Sequence, residues 1–169
     1  MIKLRNSAGA FLRRAGHFLL IKRSTDKEIA PGVWSCIGGH MEQGELNDPL
    51  ECALREIEEE TGITRGHVFG MELRYVLFRR SKDEIRQSYI YFGETDAADF
   101  TDTDEGTLHW IPEGELRDRE YTKPFAVMLR HYTETPDEHR RVVVGTAGIR
   151  DERFHMSWAV AEEFDYTYA

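Results

Sequence analysis

The sequence predicts an α/β fold in a single domain, and three observations support this prediction. Asp48-Pro49 forms a helix start signal and Gly62 a helix stop signal, so a long helix is expected between them. Runs rich in β-branched and aromatic residues lie on both sides of this helix. The chain of 169 residues is long enough for one domain with a substantial core. We therefore expect strands and helices to share one core.

The central helix is the best-defined element of the sequence. Asp48 suits the N-cap, Pro49 suits the first helical position, and Glu51 completes a pair that resembles a capping box. Gly62 can adopt the left-handed conformation that ends a helix. At about 100° per residue, one face is apolar and consists of Leu50, Ala53, Leu54, Ile57 and Thr61. We expect this face to be buried.

Three carboxylates gather on another face of the same helix. Glu56, Glu59 and Glu60 stand at positions i, i+3 and i+4, where like charges repel by roughly a few tenths of a kcal/mol per pair in water. A positive charge is therefore expected beside them. Hard oxygen ligands suit Mg²⁺ or Mn²⁺, ions that keep bound waters and recruit substrate phosphates. The alternative is a solvated acidic face, which is the usual meaning of an isolated charge run.

The other predicted elements follow the hydrophobic pattern. Strands are predicted over 7–12 and 17–22, with a turn over 13–16, and over 33–37, after a polar loop over 24–32. The strand over 33–37 leads into Gly38-Gly39. A long hairpin over 68–80 and 85–94, a strand over 107–111 and a helical turn over 113–116 follow. Thr122 can cap a helix over 123–132 that packs on the sheet.

Charge and cysteine content limit the classes of function. A net charge of −9 argues against binding polymeric nucleic acid on a basic surface. It does not argue against a polyphosphate, because a divalent ion can invert the local field. Cys36 and Cys52 lack metal-binding or redox spacing, which indicates a reducing cytoplasm. We expect no membrane association, since there is neither an apolar run of transmembrane length nor a signal-peptide core at the N-terminus.

One stretch resembles a known family motif. Gly39, five residues, Glu45, and then the run Arg55-Glu56-Ile57-x-Glu59-Glu60-x-Gly62-Ile63 resemble the Nudix box, G-x5-E-x7-R-E-U-x-E-E-x-G-U, in which U is a bulky aliphatic residue. The gap between Glu45 and Arg55 holds nine residues in place of seven. Because 49–55 keeps the usual spacing, we assign the two extra residues to Leu46-Asn47. We expect these two to bulge, with Leu46 anchored against the helix start, while Glu45 stays in place.

The resemblance implies an α/β/α sandwich with a mixed sheet, and hydrolysis of a nucleoside diphosphate linked to another group with Mg²⁺ or Mn²⁺. It implies Glu56 and Glu60 as principal metal ligands, with Glu59 and the Gly38 carbonyl as further ones. Arg55 is implied to orient the carboxylates of the box, among which Glu45 also counts as catalytic. The general base is left open between Glu59 and Glu105, the latter in an acidic loop over 95–106.

Substrate recognition is less clearly indicated. The resemblance places basic residues such as Arg23 near the substrate phosphates, with a solvated strand end as the alternative. Trp34 and Phe78 are candidates for base contacts, with packing as the alternative for each. About sixteen residues past the box the chain reads Phe78-Arg79-Arg80, without the proline of some ADP-ribose-cleaving relatives or the tyrosine of some dinucleoside-polyphosphate relatives.

Four functions are considered. The Trp34-x3-Gly38-Gly39-His40-x-Glu42 stretch and the segment 105–111 are similar to the small nucleoside-triphosphate-cleaving group, which includes oxidised-nucleotide sanitisers. A hydrolase of another conjugate, such as a nucleotide sugar, is an alternative. A non-catalytic nucleotide-sensing module and isopentenyl-diphosphate isomerase share the fold and are alternatives of another class. The expected partner in each hydrolase reading is a small nucleotide.

The chain beyond the box-containing region predicts an extension. After a polar link over 133–139, strands are predicted over 141–145 and 154–161, joined by 146–153. We expect a C-terminal β-hairpin and divide the chain into a Nudix domain over 1–135 and an extension over 136–169 packed on it. Three roles are open for the hairpin: extending a sheet edge, covering the substrate cleft or forming a homodimer.

Overall fold

The computed structural model describes residues 1–26 and 30–163. Three residues of the predicted polar loop and the last six of the predicted C-terminal extension lie outside this described part. The described elements are β1 (Lys3–Arg14), β2 (His17–Arg23), β3 (Trp34–Ser35), β4 (Ile37–His40), α1 (Pro49–Thr61), β5 (Val68–Ser81), β6 (Glu84–Thr95), β7 (Gly106–Pro112), α2 (Lys123–Glu134), β8 (Val142–Arg150) and β9 (Arg153–Ala161). Short 3-10 turns cover Gln43–Glu45, Arg65–His67, Glu113–Asp118 and Pro136–Glu138.

The strands form one mixed sheet. Its order is β3-β2-β1-β6-β5-β8-β9, with β4 paired to β1 and β7 paired to β2. The pairs β1–β6 and β5–β8 are parallel, and the other pairs are antiparallel. The predicted hairpin is confirmed as β5–β6.

Each face of the sheet is covered by one helix. In β1, Phe11 packs in the core shared with α2, while its neighbour Leu12 packs in the core shared with α1, since successive strand residues face opposite sides. The rings of Phe11 and Phe92 stack at 4.9 Å on the α2 side. Ile57 of α1 is completely buried on the other side, and full burial of such a side chain is worth roughly 1.5–3 kcal/mol. The predicted α/β/α sandwich is confirmed.

Both predicted ends of α1 are confirmed, but the predicted role of Glu51 at its start is not. Asp48 accepts a hydrogen bond from the Glu51 N–H at 3.3 Å, and Gly62 takes a φ of 73° at the C-cap. The Glu51 carboxylate does not complete a capping box, so this part of the prediction is wrong. The Asp48 N–H already donates to the Glu45 carbonyl at 2.8 Å. Glu51 instead forms an ion pair with Arg65.

Two strand predictions need correction. The strand predicted over 33–37 is divided at Cys36 into β3, which pairs with β2, and β4, which pairs with β1. The segment 146–153, expected as a connection, is mostly strand, because β8 and β9 pair up to Arg150 and Arg153. Asp151-Glu152 alone makes the turn, with φ values of 50° and 60°, the backbone form that suits a tight hairpin.

The C-terminal hairpin extends the sheet. β8 pairs in parallel with β5 from Tyr75↔Val143 to Arg79↔Ala147, and Val143 is buried in the core on the α2 side. The division of the chain at residues 135 and 136 stays a proposal. Among the described residues, no helix has the length and apolarity needed to cross a membrane.

Candidate active site

Strand β4 contains two glycines, Gly38 and Gly39, that lie close to other parts of the chain. Gly38 has a φ of 152°, and a Cβ atom there would lie 2.3 Å from the Ala8 carbonyl oxygen. A Cβ atom on Gly39 would lie 2.4 Å from the Glu56 carboxylate. A side chain at Gly38 would clash with backbone, whereas one at Gly39 would displace the Glu56 carboxylate. The helix carboxylate can therefore lie directly against bare backbone.

Burial and neighbouring negative charges disfavour the ionised form of the Glu60 carboxyl group. Its Oε2 accepts a hydrogen bond from the Gly38 N–H at 3.0 Å. The pKa of Glu60 is raised to about 7, chiefly by burial and then by the negative charges of Glu56 and Glu105, against the opposing effects of the Gly38 N–H and Arg23. Three carboxylates therefore influence one another at this corner. A cation would relieve their repulsion.

Arg55 organises the other carboxylates of the box. It donates to Glu45 Oε1 at 2.7 Å, to Glu59 Oε2 at 2.8 Å and to the His40 carbonyl at 3.2 Å, and it lies 2.9 Å from Glu56 Oε1. The bond to Arg55 lowers the pKa of Glu45 to about 2. The predicted role of Arg55 as a positioning residue agrees with these contacts.

Leu46 and Asn47 form an exposed turn before α1, and contacts within the box hold Glu45. Glu45 stays in place because both of its carboxylate oxygens accept from Arg55, at 2.7 and 3.1 Å, and one also accepts from the Glu42 N–H at 2.8 Å. The side chain of Leu46 does not anchor this turn, since the residue is 48% exposed. That part of the prediction is wrong. Ion pairing inside the box, and not apolar packing, fixes Glu45.

The loop before β7 brings Glu105 to the same corner as Glu60. β2 and β7 are in register at Arg23↔Gly106, and the Glu105 carbonyl accepts from the Ser24 N–H at 3.0 Å. Glu105 is partly buried, and its charge contributes to the raised pKa of Glu60. Two predicted site residues from distant parts of the sequence, Arg23 and Glu105, therefore act on the same carboxylate.

The residues at this corner fit a hard divalent cation, although they do not close around one. Within the described part of the chain, no three acidic, histidine or cysteine side chains converge on one ion position. The Glu59 side chain is 59% exposed and is bound by Arg55. Mg²⁺ usually takes only one or two carboxylates and completes its shell with waters and phosphates. Glu56 and Glu60, with Glu105 nearby, offer such a set.

A cleft of about 250 Å³ opens beside Gly38 and Gly39 of β4, on the α2 face of the sheet. Of the predicted substrate-binding residues, Arg23 and Trp34 line it. Phe78 also borders it, but Leu77 next to it is in the α2-side core, so the Phe78 side chain points to the other face of the sheet and the predicted base contact is not supported. The Trp34 ring also has Lys22 Nζ at 5.9 Å and the Arg119 guanidinium at 5.7 Å from its centroid. Both the packing and the base-contact readings of Trp34 are compatible with this partly buried position.

Sequence reasoning missed several residues that line the cleft. They come from β1, β5, β6, α2 and β9, and the notable ones are Arg5, Ser7, Arg79, Arg86, Ser88, Phe125 and Met156. None of them belongs to the motif, and their proximity depends on strand register. Alternation within β1 places Arg5, Ser7 and Gly9 on one face, but the identity of the neighbouring strand is not readable from one sequence.

Comparison with known proteins gives consistent results. The chain matches the model of the NUDIX domain over residues 3–132. The crystal structure of a MutT protein from Bacillus halodurans superposes with a TM-score of 0.70 at 21% identity, covering 92% of this chain and 97% of that one. The nucleoside triphosphatase NudI of Enterobacter sp. (strain 638) is 41% identical over 51 residues, which is 30% of this chain and 35% of that protein. The RNA pyrophosphohydrolase of Gluconacetobacter diazotrophicus is 39% identical over 71 residues, 39% of this chain and 41% of that protein. The matched stretches thus span less than half of these two relatives.

Proposed function

Because this chain belongs to the NUDIX domain family, we propose that it is a metal-dependent pyrophosphohydrolase. Its substrate class is a nucleoside triphosphate or another nucleoside-diphosphate derivative, including oxidised nucleotides. The observation that carries this proposal is the position of Glu60, a partly buried carboxylate with a raised pKa, near the cleft lined by Gly38, Arg23 and Trp34. The names of the two relatives, a nucleoside triphosphatase and an RNA pyrophosphohydrolase, support this reaction class.

The geometry suggests how the substrate is divided along the cleft. Its phosphates would lie at the Gly38 end, where Arg23 offers a positive charge, and its base would lie against Trp34. A divalent cation held by Glu56 and Glu60 would neutralise charge on the diphosphate and lower the pKa of a bound water. The donor set suits Mg²⁺ and Mn²⁺ equally.

Of the two candidates for the general base, Glu105 is favoured over Glu59. Glu59 is held by Arg55 at 2.8 Å and is 59% exposed, so it would have to leave an ion pair to accept a proton. Glu105 is close enough to Glu60 to raise the pKa of that carboxyl. A base near the metal-holding carboxylates is where the attacking water would be placed.

The protein's location and assembly complete the proposal. Cys36 and Cys52 are buried and unbridged, in keeping with a reducing cytoplasm. The acidic chain favours a small nucleotide over polymeric nucleic acid as its partner. In the described part of the chain β9 is an edge strand, which offers unpaired backbone groups to a second copy in a homodimer.

A screen of nucleoside triphosphates and nucleoside-diphosphate conjugates, with products identified by mass, tests the function. We expect cleavage in Mg²⁺ and none in EDTA. Glu60→Gln should lower kcat/KM by about 100-fold or more, because a metal-holding carboxylate is lost. Glu58→Gln, an exposed neighbour on the same helix, is the control and should leave activity unchanged. Nucleotide binding without turnover would contradict the proposal and favour a sensing module.

A further inference from the structure

Strand register places three arginines side by side at the end of the cleft far from Glu60. Arg5 of β1 stands opposite Arg86 of β6, and Arg86 stands opposite Arg79 of β5. All three line the cleft, so their side chains are on the α2 face of the sheet. We call Arg5, Arg86 and Arg79 the arginine row.

The arginine row is not neutralised by the protein. Like charges directly opposite each other in a sheet are destabilising. Among the described residues, the row's carboxylate partner is Glu84, which lies 3.1 Å from Arg5 Nε and also pairs with Arg86. Within that same part of the chain Arg79 forms no ion pair. Three guanidinium groups therefore face one carboxylate, in a chain whose overall charge is −9.

Such a concentration of positive charge has the chemistry of a phosphate site. The planar fork of a guanidinium group suits phosphate oxygens, which accept two parallel hydrogen bonds. A phosphomonoester carries about −1.5 to −2 charges at neutral pH, which is close to the uncompensated charge of the row. Ala147, opposite Arg79 in β8, is a small residue that also lines the cleft.

The distance between the two ends of the cleft fits one nucleotide with phosphates at both ends. Gly9 is in register with Gly38. Arg5 lies four residues before Gly9 on β1, which separates the two positions by about 13 Å at roughly 3.3 Å per residue. Long arginine side chains shorten this gap. Between the ends lies a polar step, where the Ser7 and Ser88 hydroxyls are 2.8 Å apart.

We propose that the arginine row binds a second phosphate group of the substrate, a phosphomonoester on the ribose, while the 5′-diphosphate lies at the Gly38 end. The preferred substrates are then nucleotides that carry a 2′- or 3′-phosphate in addition to the 5′-diphosphate. This inference rests on the proposed function for the orientation of the nucleotide. The row itself is independent of the metal-holding carboxylates.

Equilibrium binding of three non-hydrolysable probes tests the proposal. Adenosine 5′-monophosphate, adenosine 2′,5′-bisphosphate and adenosine 3′,5′-bisphosphate contain no diphosphate bond, so binding in Mg²⁺ is measured without turnover. We expect at least one bisphosphate to bind about tenfold or more tightly than the monophosphate, the size of one or more charge-assisted hydrogen bonds. The two bisphosphates distinguish the 2′ and 3′ positions. Equal affinities of wild-type protein for all three probes would overturn the proposal.

Arg79→Gln is the informative variant, because its removal does not leave Glu84 unpaired. It should abolish the preference for the bisphosphate. The affinity for the monophosphate should stay within about threefold, because the monophosphate has no ribose phosphate to bind the arginine row. Arg80→Gln is the matched control, because Arg80 is the next residue, does not line the cleft and donates to the Lys82 carbonyl. A preference that survives in Arg79→Gln, or that is lost equally in Arg80→Gln, would overturn the proposal.

Hydrolysis of a nucleoside triphosphate without a ribose phosphate separates this inference from the proposed function. Arg80→Gln, which changes a residue outside the cleft, should cleave such a triphosphate at the wild-type rate. Suppose that the protein prefers a bisphosphate but that neither wild type nor any variant cleaves a diphosphate bond. The proposed function is then wrong, while the proposal that the arginine row binds phosphate is supported. If cleavage is present without the preference, the function stands and the inference about the row fails.

Discussion

Two groups of carboxylates, on α1 and on the turn before it, differ in their electrostatic environment. In the first group Arg55 binds Glu45 and Glu59, and the pKa of Glu45 falls to about 2. Glu56 also contacts Arg55, but burial raises its pKa, so it belongs with Glu60. In the second group Glu60 is bound by a backbone N–H, and its pKa rises to about 7. The first group is balanced inside the protein and serves as a scaffold. The second is left with excess negative charge, which is the condition that an external cation would relieve.

Removal of Arg55 should break the balanced group and have the largest effect. Arg55→Ala leaves Glu45 and Glu56, whose side chains are 13% and 12% exposed, without their cation. We expect a loss of about 3 kcal/mol in the free energy of unfolding, measured by urea denaturation. Arg65→Ala, which breaks the exposed pair with Glu51, is the control and should change the free energy of unfolding far less, because a solvent-exposed pair is screened by water. Equal losses would contradict the distinction between a scaffold pair and a surface pair.

The pH dependence of stability in EDTA should sharpen the contrast. The folded pKa of Glu60, about 7, lies above its ordinary value of 4.5, so the folded state keeps this proton longer than the unfolded state. The stabilising contribution is present below pH 4.5 and is lost as pH rises through 7, by about 2–3 kcal/mol. Glu60→Gln, which keeps an acceptor for the Gly38 N–H, should remove this loss.

The comparison of the two proteins at two pH values provides the readout. Glu60→Gln should unfold at a higher temperature than wild type at pH 8 without metal, and at a similar temperature at pH 5. A variant that is equally destabilised at both pH values would contradict the assignment of Glu60 as the carboxylate whose charge is disfavoured. Glu45 behaves in the opposite sense, because its stabilising contribution is present above pH 4.5 and is lost as pH falls towards 2.

Changes at Glu45 and at the neighbouring residues Leu46 and Asn47 test whether the ion pairs of Arg55 support activity. Glu45→Gln should lower kcat/KM by about tenfold or more, because it releases the group that orients Arg55. Deletion of Leu46 and Asn47, both exposed, should change stability by less than about 1 kcal/mol and leave activity largely intact. The Glu45→Gln cost should be the same in the shortened protein. A cost that emerges only after the deletion would mean that the insertion displaces Glu45.

The helix and its carboxylates could be predicted from the sequence because their determinants are local. Asp48, Pro49 and Gly62 act within one turn of the residues they define, and the spacing of Glu56 and Glu60 sets their relative position. The arginine row could not be predicted in this way. It depends on which strands are neighbours and in which register, and a shift by one residue would turn Arg86 to the other face.

The errors in prediction have similar physical origins. Leu46 was expected to anchor the bulge because it is apolar, yet the Arg55 ion pairs already fix Glu45 and leave Leu46 exposed. The sequence predicts a connection over 146–153, yet pairing with β5 and β9 keeps most of it extended. In both cases a tertiary contact overrides a local preference.

The response of thermal stability to Mg²⁺ tests the central claim, that the Glu60 corner is the cation site. At pH 8, Mg²⁺ should raise the unfolding temperature of wild-type protein, by an amount that corresponds to about 2.7 kcal/mol at 100 times the Kd. Glu59→Gln should keep most of this shift, because Glu59 is exposed and bound to Arg55. Glu60→Gln should abolish the shift. An undiminished Mg²⁺ shift in Glu60→Gln would contradict the account.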